Sequence, residues 1–78
     1  MKEYVPTSVE QTKVNYNSWN EITFKIYGLD EPETRIISVY IGESDIPMYE
    51  LVSRLTREAG EKAGKETMYE IISIEPKE

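Results

Sequence analysis

Cysteine and histidine are both absent from the 78 residues. The first absence excludes disulfides and thiol chemistry. The two together exclude a conventional zinc site, and they remove the commonest general base near neutral pH and the best side-chain nucleophile. Long apolar runs are lacking too: nothing approaches the roughly 20 residues that span a bilayer. Met1-Lys2-Glu3-Tyr4-Val5-Pro6 is followed by no apolar stretch, so no secretory signal is expected. Positive charge is scarce, with 9 Lys and Arg against 15 Asp and Glu and a net charge of −6. Both halves are acidic: residues 1–39 hold 4 basic and 6 acidic side chains, residues 40–78 hold 5 and 9. A phosphate backbone or an anionic membrane would find few partners on such a chain, so neither nucleic acid nor membrane is the expected ligand. There is no Gly-rich phosphate loop, nucleophile elbow or calcium-loop spacing. These exclusions lead to three expectations: no enzymatic activity, no cofactor or metal, and a cytoplasmic location.

A chain of this length makes one domain and buries only about 60–65% of its unfolded surface. Without a disulfide or a metal, its stability must come from close packing or from association.

Hydrophobic periodicity predicts the elements. From Glu21 to Tyr27, Ile22, Phe24 and Ile26 share one face, while Glu21, Thr23, Lys25 and Tyr27 share the other. Gly28 to Thr34 is rich in turn formers. From Arg35, Ile37, Val39 and Ile41 share one face, while Ile36, Ser38 and Tyr40 share the opposite one. The short connector makes these two strands an antiparallel hairpin. Next, Ser44 or Asp45 is placed to cap a helix, and Pro47 suits its first turn. Met48, Leu51, Val52, Leu55, Ala59 and Ala63 form a period-3.6 stripe, and Gly64 is a natural stop. Glu50–Arg54, Glu58–Lys62 and Glu61–Lys65 are spaced i,i+4 on the solvent side. A last strand is predicted over Thr67–Ile74. There Met68, Ile72 and Ile74 mark one face, Tyr69 and Ile71 the other, and Glu70 is out of place on the first.

The expected fold is therefore α+β. It has β-β-α-β order, a three-stranded antiparallel sheet in spatial order 3-1-2, and one helix over one face. A right-handed crossover returns the last strand parallel to the second. Residues 1–18 are expected to be an N-terminal arm or an added edge strand, residues 19–76 the domain, and residues 77–78 a loose end.

Two acidic clusters stand out: Asp30, Glu31 and Glu33 in the hairpin connector, and Glu43 with Asp45 before the helix. They fall at opposite ends of the hairpin, so they do not combine, and each reads as a solvated loop. Trp19 reads as a filler at the core edge. Arg54 and Arg57 belong to the exposed side of the helix.

The remaining feature is the sheet face away from the helix. On this reading it carries Tyr27, Ile36, Tyr40, Tyr69 and Ile71. Aromatic and branched side chains left on an open sheet suit a protein partner or a second copy of the chain. The expected function is thus a small acidic interaction module. It would be either a homodimer or a regulator or inhibitor of a basic partner, of the kind viruses and mobile elements encode. The alternative is single-stranded nucleic-acid binding by base stacking on that face, for which only Lys25 and Arg35 supply positive charge.

Overall fold

Alternation along the first hairpin sets the frame of the molecule. In the computed structural model, which describes residues 14–77, strand β1 spans Ser18–Tyr27 and β2 spans Glu33–Ile41. Helix α1 spans Ile46–Ala63 and β3 spans Met68–Pro76. The sheet has three strands in the order β2-β1-β3, and both pairings are antiparallel. This is the expected α+β fold. Of the N-terminal arm or edge strand expected over residues 1–18, residues 1–13 lie outside the described residues, residues 14–17 form no strand, and Ser18 already belongs to β1.

β1 is the central strand, and its Ile22, Phe24 and Ile26 are completely buried. Ile22 lies between Ile37 of β2 and Ile74 of β3, and Phe24 lies between Arg35 and Ile71. Ile41, Met48 and Val52 close the core from β2 and α1.

α1 touches the sheet along a line slightly rotated from the apolar stripe. Its fully buried residues are Met48, Val52, Thr56 and Gly60, one turn apart. Leu55 and Ala59 pack beside them, and Ala63 is exposed. Thr56 is tolerated inside because its hydroxyl donates to the Val52 carbonyl at 2.8 Å, while its own carbonyl accepts from the Thr67 hydroxyl at 2.8 Å. At the helix start the Ser44 hydroxyl oxygen accepts from the Ile46 N–H at 3.2 Å, and Asp45 makes no side-chain cap. At its end the N–H groups of Gly64 and Lys65 bond back to the carbonyls of Glu61 and Gly60, the paired closure of a helix that stops on a left-handed residue. None of the three i,i+4 pairs closes into an ion pair. Among the described residues, Lys65 instead meets Asp30 at 3.2 Å, and Arg35 meets Glu33 at 2.6 Å. Two acids of the expected connector cluster, Asp30 and Glu33, are thus each paired with a basic side chain.

β3 departs from simple alternation. Its register against β1 shifts between Thr23 and Phe24: Ser73 faces Thr23 and Ile71 faces Phe24, leaving Ile72 as an extra residue. Such a bulge exchanges the two faces of everything beyond it. Tyr69, Ile71 and Ile74 therefore turn toward the helix. Met68 and Ile72 are exposed, and so is Glu70. This corrects the expected facing of Met68, Tyr69, Ile71 and Ile72. It also removes the anomaly of Glu70, which sits on the wet side of the sheet.

Candidate functional site

The candidate site is the sheet face turned away from α1. Odd-numbered residues of β1 and even-numbered residues of β2 build it. Trp19 pairs with Tyr40, Glu21 with Ser38, Thr23 with Ile36 and Lys25 with Thr34. On the other flank Glu75 lies beside Glu21, Ser73 beside Thr23, Glu70 beside Lys25 and Met68 beside Tyr27.

Among the described residues, nothing covers the apolar side chains on this face. Ile36 is 62% exposed, Trp19 53%, Tyr40 52%, Ile72 47% and Met68 40%. The three most exposed gather on the β2 side. There the Trp19 and Tyr40 rings meet edge to face with centroids 5.9 Å apart, an arrangement that favours aromatic pairs beyond their buried area. Trp19 was expected at the core edge. It lies on the open face because β1 begins at Ser18, which puts residue 19 in phase with Thr23 and Tyr27.

The opposite end is polar. Tyr27 is eight residues along β1 from Trp19, roughly 26 Å at 3.3 Å per residue. Its hydroxyl donates to the Glu70 carboxylate at 2.7 Å, and the Lys25 ammonium sits 5.6 Å from its ring centre. The hydrogen bond to Glu70 holds the Tyr27 pKa above its ordinary value, with smaller contributions from desolvation and from the Glu70 charge. Across the middle, the Lys77 ammonium donates to the Ser38 hydroxyl at 3.1 Å.

Of the five residues expected to form a contact face, Tyr27, Ile36 and Tyr40 lie on this surface. Tyr69 and Ile71 do not. Ile71 is only 4% exposed and belongs to the core, and Tyr69 packs against the core from the helix side. Tyr69 also borders an open groove of about 720 Å³ along α1, with Tyr49, Leu51, Arg54 and Arg57. Among the described residues no group of three or more carboxylates converges in a metal-holding arrangement, and no helix is long and apolar enough to cross a membrane. Compared with known proteins, the chain matches no family model, no curated protein and no solved structure.

The entrance to the site is held by a buried amide. Asn20 is fully buried at the end of the core row of β1. Its Oδ1 accepts from the Asn15 N–H at 3.1 Å, and its Nδ2 donates to the carbonyls of Asn15 at 2.9 Å and Ser18 at 3.2 Å. These bonds fold residues 15–18 back on the strand and fix where Trp19 emerges. Asn17 takes a left-handed φ of 58° in this turn, a conformation asparagine accepts more readily than most residues.

Proposed function

We propose that this chain is a small acidic protein-interaction module, not an enzyme, that acts by contact through the open face of its sheet. The observation that carries the reading is the row of exposed Trp19, Tyr40 and Ile36 along the β2 side. Large aromatic and branched side chains on a rigid sheet lose little conformational entropy on contact, and they anchor many protein interfaces. Tyr27 extends the surface along β1. A cysteine-free chain is suited to the reducing cytoplasm, where we place its action.

Charge on the face helps select the partner. Glu21, Glu70 and Glu75 stand against Lys25 and Lys77. That near balance gives an RNA or DNA backbone no positive track, which disfavours base stacking on Trp19 and Tyr40. It also gives a strongly basic partner little to hold, so inhibition of such a partner is the weaker form of the proposal.

The test is a photo-crosslinking side chain placed at Glu21, in the middle of the open face, and separately at Glu58, exposed on α1. In cells that naturally make the protein, position 21 is expected to yield a discrete protein adduct and position 58 none. Equal yields at the two positions, or an adduct with nucleic acid at position 21, overturn the reading.

A further inference from the structure

The two edges of the sheet differ in how they meet another strand. β3 is guarded. It carries the bulge at Ile72, ends on Pro76, and sets Glu70 and Glu75 along its length. Bulges, prolines and charges all discourage a strand from adding to an edge. β2 has no bulge and no proline, and its charges, Glu33 and Arg35, are confined to its first three residues. From Arg35 to Ile41 it runs in unbroken register against β1 with no proline. Its one charge in that span, Arg35, is already matched by Glu33. Among the described residues no strand pairs with its outer side. Ile, Val and Tyr dominate the segment, and these residues favour strands.

We propose that β2 pairs antiparallel with β2 of a second copy about a two-fold axis at Ser38, joining two sheets into one. This goes beyond the interaction-module reading: it adds a contact between two copies at the sheet edge and leaves the open face itself free for its partner. The choice of axis follows from the side chains. With Ser38 facing Ser38, Ile36 lies opposite Tyr40 of the second copy, and the contact occurs twice. These are the two exposed apolar residues of β2, and a branched side chain beside an aromatic one is a stabilising cross-strand pair. On the helix side the same axis sets Ile37 opposite Val39. Both are half-buried and packed against the core, so the core continues across the junction.

Registers that preserve the two faces move in steps of two residues. A step one way sets Ile36 against Ser38, and Glu33 against Ile41. A step the other way sets Tyr40 against Ser38, and Ile36 against Gly42. Of these three registers only the axis at Ser38 covers Ile36 with Tyr40. A closed two-fold interface is also the commonest form of self-association. It supplies apolar burial to a small domain that has no cysteine to staple it.

The cysteine-free sequence makes the register directly testable. Residues directly opposite across an antiparallel pair have Cα atoms about 4.5–5.5 Å apart, within disulfide reach. Light scattering on the purified full-length chain at high micromolar concentration is expected to give twice the 9.1 kDa chain mass. Under mild oxidation Ser38→Cys is expected to convert to a covalent dimer, while Glu75→Cys on β3 stays single. Ser38→Lys, which adds a second ammonium from each copy beside the Lys77 ammonium already at that position, is expected to weaken association by about tenfold or more. Circular dichroism would show that each variant keeps the wild-type fold. A monomer at every concentration overturns the self-pairing, and an adduct at position 21 would still uphold the interaction module. A dimer indifferent to Ser38→Lys and not joined by Ser38→Cys overturns the β2 edge as its seam.

Discussion

Phe24→Ala is expected to leave the chain largely unfolded at 25 °C. Phe24 is completely buried at the centre of the middle strand, with Arg35 on one side and Ile71 on the other. Removing a buried phenylalanine costs about 3–5 kcal/mol, because the transfer energy is lost and a cavity remains. A single core in a domain of this size rarely supplies more than about 3–5 kcal/mol in total. The loss is therefore comparable to everything that holds the fold. The matching change on the other face, Ile36→Ala, removes a side chain that is 62% exposed, and the monomer should tolerate it within about 0.5 kcal/mol. Urea unfolding followed by circular dichroism at low protein concentration measures both. A Phe24→Ala variant that unfolds cooperatively at nearly the wild-type midpoint would contradict the core described above.

The second large effect is expected at Gly28 and Gly60, which both lie close against the Lys65–Thr67 segment. Gly28 ends β1 with a φ of 102°, and a Cβ there would collide with the Glu66 carbonyl oxygen. Gly60 lies in the last turns of α1, where a Cβ would come within 2.6 Å of the Lys65 carbonyl oxygen and of the Thr67 hydroxyl. The α1–β3 connection thus comes close to two backbones at positions where a side chain would collide with it.

Gly28→Ala is expected to lower stability by at least about 2 kcal/mol, since the left-handed strain and the collision act together. Gly60→Ala is the sharper case. Helix propensity alone would make it stabilising by about 1 kcal/mol, and a reading of the helix in isolation predicts that sign. Collision with a backbone carbonyl reverses it, to a net loss of about 1–2 kcal/mol. A thermal midpoint for Gly60→Ala above that of the wild type would show that the connection does not sit where it is described.

How far the fold could be read from sequence depended on whether alternation ran unbroken. Ile22, Phe24 and Ile26 alternate cleanly, as do Ile37, Val39 and Ile41, and both strands took the expected faces. In β3 strict alternation set Met68 and Ile72 in phase with Ile74 and sent Tyr69 and Ile71 to the other face, and that phase is wrong for all but Ile74. The bulge at Ile72 places Ile71 inside, with Tyr69 and Ile74 in step. The one local sign was Glu70, which made sense only if Met68 and Glu70 faced water. On α1, Thr56 hid in the contact line because it is not apolar enough to mark a stripe, while Gly60 signalled a close backbone approach by its presence inside a helix. Thr56 enters through its hydrogen bond to Val52, and Gly60 through its lack of a side chain.

The candidate site was partly legible for the same reason. Tyr27, Ile36 and Tyr40 followed from strand phase alone. Trp19 was missed because β1 reaches back to Ser18, through a turn that Asn20 holds by side-chain bonds to Asn15 and Ser18. Periodicity carries no trace of such bonds.

The central claim is that the open sheet face is covered when the protein works. Hydroxyl-radical footprinting reads this from the side chains themselves, by comparing the dilute purified chain with the same chain in the cells that make it. Ile46 on α1, 61% exposed, serves as the internal reference. Dilute, Trp19, Tyr40 and Ile36 should oxidise as freely as their exposure allows. In the cell they should be protected severalfold while Ile46 stays reactive. Unchanged reactivity of Trp19, Tyr40 and Ile36 relative to Ile46 would contradict the account.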